Sequence, residues 1–319
     1  MGNFLLGLIA ICAFALPAAA QEKITISIAT GPTGGVYYPM GGGMANLLTK
    51  SVPGLVATAE STAGSVANLE FIHTGKADVA LSMADASWDA YKGQDKFKER
   101  PVGVRALMVL YPNRMHVVSM EGLGINKVAD LKGRRVSTGA PRSATEVMAF
   151  RVLEAAGLNP EKDVRRERLT PQESANALKD RKIDAFFWVG GIPTSSVTDF
   201  AASPGVKIKL VDHADVVEAM NKKFGPLYVR DVIPAKSYPG QDAANQVATV
   251  WNVLVASAKL PDQVAYNIVK TMFEKKEDMV RVHKESESFD FKNQTNAAAV
   301  IPYHPGAARY FAEKGIQLK

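Results

Sequence analysis

The sequence predicts an α/β protein of two lobes that are joined by strands crossing between them. Short β-rich runs alternate with helical patterns along the chain, which is typical of parallel sheets covered by helices. About 300 residues remain after a removable leader, which is enough for two lobes of ordinary size. No low-complexity linker interrupts the chain, so we expect crossing strands rather than a flexible tether to join the lobes.

The first twenty residues have the pattern of a secretory signal peptide. An apolar run from Phe4 to Leu16 precedes a small-residue cleavage site at 17–20, and the run is too short for us to favour a membrane anchor. We therefore predict export to the periplasm. Cys12, the only cysteine, lies in this leader, so the mature chain is predicted to hold no disulfide and no cysteine-based metal or redox site.

The remaining chain alternates between the two kinds of element. The patterns predict strands over 23–29, 56–60, 79–82, 105–111, 116–119, 135–138, 185–189, 207–211, 228–233 and 247–256. They predict helices over 40–50, 65–74, 143–156, 171–180, 215–224, 261–273 and 306–314. Ser143 and Thr170 each precede a glutamate by three residues, which predicts a capping box at two of these helix starts.

Two segments are candidates for crossing between the lobes, over 111–119 and 227–234. They assign residues 21–114 and 230–319 to lobe I and residues 115–229 to lobe II. A chain that crosses twice between lobes forms a hinge.

The most informative segment is the glycine-rich turn over 29–39, which follows the first strand and precedes a helix that Pro39 is predicted to start. Glycines let the backbone approach a ligand closely, and the first amides of a helix point towards it. A strand, such a turn and a helix N-terminus together form a pocket for an anion. Of the two tyrosines in the segment, we expect Tyr37 to face the cleft while Tyr38 packs.

Four small, hydroxylic, glycine-rich segments are predicted to meet beyond the carboxyl ends of the strands, where open α/β sheets bind ligands. Such a lining supplies hydrogen-bond donors without catalytic groups. The predicted ligand-binding residues are Thr33, Gly34, Gly35, Tyr37, Ser61, Thr62, Gly64, Ser65, Asn68, Arg142, Ser143, Ala144, Thr145, Trp188, Gly190 and Pro193.

Two of these residues have a particular expected role. Arg142 either grips a carboxylate with both guanidinium arms or faces solvent as an ordinary loop arginine. Trp188 is the last residue before the glycines at 190–191, and we expect it to form a wall of the cleft, whereas Phe186 and Phe187 pack in the core.

Other classes of function find little support in the chain. The sequence lacks a G-x-S-x-G elbow, an S-x-x-K pair and a phosphate-binding glycine loop. Its five histidines are scattered, and even Asp212-His213-Ala214-Asp215 lacks zinc-ligand spacing, so we predict neither a metal nor a cofactor. The net charge of +6 comes from mixed clusters rather than a basic stripe, which argues against nucleic-acid binding.

Several stretches resemble the TAXI family of solute-binding proteins, which serve TRAP-type transporters. The resemblance rests on the sequence letters at 28–41 and 61–69 and, less specifically, at 130–136, then on 184–194 and the His-Pro-Gly-Ala at 304–307. It implies a hinge-closing, two-lobed periplasmic binding protein of type II-like fold, without enzymatic activity. One departure stands out, because Arg142 and Ala144 occupy positions where glycine is common in the family.

The resemblance also implies partners. Relatives deliver small carboxylates such as glutamate, glutamine or 2-oxoglutarate to TRAP membrane permease subunits, and the departure at Arg142 favours a dicarboxylate. We expect a monomer that binds a small anionic solute and no nucleic acid. Two alternatives stay open: a sensory binding protein, and an enzyme on the same fold that acts on a small anionic metabolite.

Overall fold

The computed structural model describes residues 23–318 and contains one mixed sheet. The predicted signal peptide over residues 1–20 lies outside the described residues. The strands are β1 (Ile24–Ala29), β2 (Leu55–Glu60), β3 (Val79–Met83), β4 (Val104–Met120), β5 (Arg135–Ser137), β6 (Arg165–Glu167), β7 (Ala185–Gly190), β8 (Ile208–Leu210), β9 (Val229–Ile233) and β10 (Asn245–Ser257).

Helices cover both faces of this sheet. They are α1 (Tyr37–Ser51), α2 (Ser65–Thr74), α3 (Ala84–Lys92), α4 (Ala144–Ala155), α5 (Pro171–Lys179), α6 (Ser195–Ala201), α7 (Val217–Phe224), α8 (Asp262–Glu274), α9 (Lys276–Val282), α10 (Asn296–Ala299) and α11 (Pro305–Glu313). The sequence did not predict α3, α6, α9 or α10. Within residues 23–318, no helix is both long enough and apolar enough to cross a membrane.

The sheet is parallel at its two ends and antiparallel in its centre. Its main order is β2-β1-β3-β10-β4-β7-β5-β6, with β8 paired to β4 and β9 paired to β10. The predicted parallel pairing is found between β1, β2 and β3 and between β5, β6 and β7. It was wrong for β4 and β10, which run antiparallel to each other and to their other neighbours.

The strands β4 and β10 contribute to separate hydrophobic clusters along their length. In β4, Leu110 packs with the helices α1, α8 and α11, whereas Val118 packs with Phe186 of β7. In β10, Leu254 and Val247 divide between the same two clusters. Both strands therefore contribute to these two clusters, and both also contribute to a third cluster.

The chain over 104–120 is one strand, although the sequence predicted two with a break near Pro112. The strand continues through Pro112, and its pairing with β10 shifts register between Trp251 and Val253. The second predicted crossing, over 227–234, overlaps β9, which pairs with the first half of β10. Neither packing detail tests the predicted lobe boundaries, which stay a prediction.

A buried ion cluster connects α3 to α4. Arg151 of α4 reaches Asp89 at 2.5 Å and Asp95 at 3.0 Å, and it lies 3.6 Å from the fully buried Asp85. The Tyr228 hydroxyl donates to Asp85 at 2.8 Å, and Arg151 donates to Tyr228 at 2.7 Å. Burial raises the pKa of Asp85. Burial, with the neighbouring carboxylates of Asp85 and Asp95, raises the pKa of Asp89 to about 6.

Candidate functional site: a cavity at three helix N-termini

Three helix starts contribute to the lining of one cavity. The cavity holds about 530 Å³ of space between protein atoms, counting the part that opens to solvent. Its lining comprises Pro32, Gly35, Val36, Tyr37, Ala63, Gly64, Ser65, Met83, Tyr111, Asn113, Gly139, Ala140, Ser143, Ala144, Thr145, Leu169, Pro171, Phe187, Trp188, Val189 and Gly190. Nine of the sixteen predicted ligand-binding residues are among them.

The first helix start is that of α1, which begins at Tyr37 and not at Pro39 or beyond as the sequence predicted. Pro39 fits inside the first turn, because the amides there have no intrahelical acceptor to lose. Tyr37 lines the cavity and its hydroxyl donates to Asn252, while Tyr38 is exposed and does not pack. Burial raises the pKa of Tyr37, so this hydroxyl stays protonated at neutral pH.

The second helix start is that of α2, where Gly64 precedes Ser65 with a φ of +114°. That backbone conformation is one that side-chain-bearing residues rarely adopt. The Gly64 amide donates to the Thr62 hydroxyl at 3.0 Å, and the Ser65 hydroxyl accepts from the Met83 amide at 3.1 Å. Both side chains thus fix the turn, and Gly64 and Ser65 at this helix start line the cavity.

The third helix start is that of α4. Ser143 caps it by accepting from the Glu146 amide at 3.2 Å, as predicted, and its hydroxyl donates to the Ala140 carbonyl at 2.6 Å. The reciprocal half of the predicted capping box was wrong, because the Glu146 carboxylate pairs with Arg168 at 2.6 Å instead. At Thr170, by contrast, both halves of the predicted box form.

The strand β7 supplies an aromatic wall. Phe186 and Trp188 belong to one hydrophobic cluster and Phe187 to another, as expected for side chains that alternate along a strand. Trp188 is 8% exposed and lines the cavity, and its ring nitrogen donates to the Thr194 hydroxyl at 2.9 Å. Its six-membered ring lies so close to Gly35 that a Cβ there would come within 2.8 Å.

Two residues of β4 complete the lining, and the sequence interpretation missed both as site residues. Tyr111 and Asn113 are buried, and neither the tyrosine hydroxyl nor the Asn113 Oδ1 atom has a hydrogen-bond partner within residues 23–318. The available signal was an asparagine and a tyrosine that follow the apolar run over 106–110. For the segment over 111–119, the sequence predicts only a crossing between the lobes.

Seven predicted residues do not line the cavity, and most of them support its rim. The Gly34 carbonyl accepts from the Ser195 hydroxyl at 3.1 Å and from the Ser196 amide at 3.3 Å. The Ser61 hydroxyl donates to the Gly31 carbonyl at 3.0 Å. Thr33 is exposed, and the Pro193 carbonyl lies 3.1 Å from a ring nitrogen of His283.

The side chains of Asn68 and Thr62 bond to the loop itself and do not line the cavity. Asn68 is fully buried, and its amide nitrogen donates to the carbonyls of Thr30 at 2.6 Å and Leu81 at 2.7 Å. The Thr62 hydroxyl donates to the Asn68 side-chain oxygen at 2.5 Å. These bonds account for the polar atoms of Asn68 without any contribution from the cavity.

Arg142 takes the solvent-facing role that the sequence left open. Its side chain is 53% exposed, pairs with Glu70 and is not part of the cavity lining. The Arg142 backbone, in contrast, adopts a φ of +66° and accepts a hydrogen bond from the Ala67 amide at 3.1 Å. The loop therefore contributes its backbone near the cavity and sends its charge outwards.

The lining carries no ionised side chain among the described residues. Nor does the part of the chain that the structure describes contain a cluster of three or more metal-ligating side chains. The polar groups that the lining offers are therefore backbone amides and carbonyls, hydroxyl groups and a carboxamide. A carboxylate that accepts several backbone N–H bonds is well stabilised in its ionised form.

The model of the NMT1-like family matches residues 28–315, and the chain therefore belongs to the NMT1-like family. One similar solved structure is that of Tv2483 bound to L-arginine, with 13% identity, a TM-score of 0.51, and coverage of 83% of this chain and 90% of that one. A protein from Bordetella bronchiseptica RB50 has 18% identity, a TM-score of 0.50, and coverage of 93% and 84%.

The periplasmic aliphatic sulphonate binding protein SsuA from Escherichia coli is also similar, with 15% identity, a TM-score of 0.46, and coverage of 90% and 82%. At such identities these likenesses concern the fold alone. The likenesses at TM-scores of 0.50 and 0.51 go with one mixed central sheet, which confirms the predicted α/β class.

Proposed function

We propose that this protein is an extracytoplasmic solute-binding protein that captures a small carboxylate and delivers it to the membrane permease of a TRAP-type transporter. One observation carries the proposal: the N-termini of α1, α2 and α4 converge on a single cavity that has no ionised side chain in its lining. Such a cavity can hold an anion and offers no general base to transform it.

The binding step follows from the helix ends. The first amides of each helix lack intrahelical acceptors and carry the positive end of the helix dipole. Ser143 fixes one of these ends, and Gly64 and Gly35 keep the other two free of Cβ atoms that would fill the space. A carboxylate in the cavity accepts hydrogen bonds from these amides in place of its water shell.

The closing step follows from the two strands that join the cores. We propose that β4 and β10 form the hinge and that the ligand closes the lobes by binding the closed form more tightly. The contacts of Gly34 with Ser195 and Ser196 join the glycine-rich loop to α6. A second contact joins Glu285 to the Ile192 amide at 2.6 Å. We propose that both contacts help to hold the closed conformation.

The assignment to a TRAP-type transporter rests on the resemblance of the glycine-rich segments to the TAXI family. In that family the permease recognises the closed form of the binding protein. The glutamate, glutamine and 2-oxoglutarate bound by relatives are the first ligands to test. The preference for a dicarboxylate depended on the Arg142 side chain, and it loses that support because the side chain pairs with Glu70 outside the cavity. The signal peptide that the sequence predicts over 1–20 supports a periplasmic location.

The direct test is calorimetric titration of protein that has been unfolded, dialysed and refolded to remove ligand. We expect saturable binding of at least one small carboxylate at a ratio of one per chain. Gly35→Ala should abolish it, because the new Cβ would lie 2.8 Å from Trp188. Gly42→Ala on α1 is the matched control, since a Cβ there meets no atom within 4 Å. Absence of binding by every carboxylate, or equal binding by both variants, would refute the proposal.

A further inference from the structure

We propose that the cavity selects a monocarboxylate with an apolar body and one uncharged hydrogen-bonding group, a hydroxyl or a carbonyl, and that it disfavours a second carboxylate or an ammonium group. Tyr111 and Asn113 are the residues that form hydrogen bonds with the uncharged group. This inference rests on the proposed function and narrows the chemical class of its ligand.

The unpartnered atoms of Tyr111 and Asn113 are the first support. Tyr111 is fully buried and Asn113 is 2% exposed, yet the hydroxyl of one and the Oδ1 atom of the other have no partner in the described chain. Buried polar groups are nearly always hydrogen-bonded, and both of these side chains line the cavity. A ligand hydroxyl at this place can accept from the Tyr111 hydroxyl and donate to Asn113 Oδ1, whereas a ligand carbonyl accepts from Tyr111 alone.

The ionisation of these two groups points to a neutral partner. Burial raises the pKa of the Tyr111 phenol well above its usual range, so the hydroxyl stays neutral, and the carboxamide of Asn113 does not ionise. Neutral groups of this kind bond well to a hydroxyl or a carbonyl. They do not compensate the desolvation of a full second charge.

The charged residues nearest the cavity already have partners, which is the second support. Arg142 pairs with Glu70 at the surface. Glu285 accepts from the Ile192 amide at 2.6 Å and lies 3.5 Å from Arg114. An ammonium group therefore finds no free carboxylate in the lining, and a second carboxylate finds no free cation.

The rest of the lining is apolar, which is the third support. Apart from the helix ends, the ligand meets the side chains of Val36, Met83, Leu169, Phe187 and Trp188. An apolar body gains free energy by leaving water for such a surface, whereas a charged terminus loses its hydration there. The three supports come from different atoms and agree on one class of ligand.

The first test compares four ligands of similar size by calorimetric titration of refolded, ligand-free protein. The ligands are 2-oxoisocaproate, isocaproate, leucine and 2-oxoglutarate. They share a carboxylate and differ in the neutral group, the ammonium group and the second charge. We expect 2-oxoisocaproate to bind at least about tenfold more tightly than each of the others, the size of effect that one buried hydrogen bond provides.

The second test removes one oxygen. Tyr111→Phe should weaken 2-oxoisocaproate about tenfold and leave isocaproate within about twofold, because only the first ligand uses the hydroxyl. Tyr310→Phe, in the core beside α8 and away from the cavity, is the matched control and should change neither affinity. Thermal melting of both variants verifies that they are folded.

The outcomes separate the inference from the proposed function. Tighter binding of leucine or 2-oxoglutarate than of 2-oxoisocaproate, or equal losses for both ligands in Tyr111→Phe, would overturn the inference and leave carboxylate capture standing. Failure of all four ligands, and of glutamate and glutamine, would remove both.

Discussion

Asn68 gives the sharpest test of the difference between the sequence interpretation and the structure. The sequence predicted that its side chain binds ligand, whereas the structure has it joining three segments of scaffold. Its amide nitrogen donates to the carbonyls of Thr30 and Leu81, with the carbonyl of Ala29 a further 3.3 Å contact. Its oxygen accepts from Thr62. We therefore expect Asn68→Ala to destabilise the protein and not to act on the ligand directly.

The expected loss follows from these bonds. Two good hydrogen bonds from the amide nitrogen contribute about 1 kcal/mol each, and the buried Leu81 carbonyl that is left without its donor adds a desolvation cost of about 1 kcal/mol. The free energy of unfolding should therefore fall by about 3 kcal/mol in Asn68→Ala. Asn68→Asp should lose more at neutral pH, because it places a carboxylate against three carbonyl oxygens, and it should recover in part as acid protonates that carboxylate.

Urea denaturation followed by fluorescence measures this loss, and calorimetric titration at low temperature measures the affinity of the folded fraction. Asn46→Ala on the exposed side of α1 is the control and should change stability by less than about 0.5 kcal/mol. An Asn68→Ala protein with wild-type stability and a lost ligand affinity would refute the structural reasoning and restore the sequence interpretation.

Three further predictions concern charge. Burial lowers the pKa of His116 to about 4 from its usual 6.5. Between these pH values the unfolded chain binds a proton at this residue and the folded chain does not. About 3 kcal/mol of stability should therefore be lost as pH falls from 6.5 to 4, and the non-titrating His116→Gln should flatten that part of a denaturation profile. Arg142→Ala should change ligand affinity less than about twofold in a titration, since an exposed ion pair contributes little. Arg151→Met should lower the free energy of unfolding, measured in urea, by about 3–5 kcal/mol, because the substitution leaves buried carboxylates unpaired. Adding Asp85→Asn should restore part of this loss. An unchanged free energy of unfolding would show that water reaches the cluster.

Local chemistry along the chain predicted the helix starts at the site. The glycine-rich turn before Tyr37, the Gly64-Ser65 turn and the Ser143 cap each combine a strand end with a helix start, and each lines the cavity in the structure. Such signals can be found in a sequence because the residues that cap a helix or permit a positive φ are close neighbours of the residues they serve.

Local sequence does not predict the direction in which a loop side chain points. Arg142 lies beside Ser143 in sequence, yet its guanidinium meets Glu70, which no local pattern indicates. Similarly, Glu146 meets Arg168 and not its own helix cap. For Glu146 a long-range ion pair replaced the predicted capping interaction, and for Arg142 an ion pair accompanies the solvent-facing role, one of the two that the sequence left open.

By itself the sequence determined the α/β class, the alternation of strands and helices, and the three helix starts that offer their amides to one cavity. The tertiary structure decided which side chains share that cavity. It brought Tyr111 and Asn113 from the middle of β4 into the lining and turned Asn68 and Arg142 away from it. The physical reason is distance along the chain: capping and turn preferences act within a few residues, whereas a binding cavity is made by segments that only folding brings together.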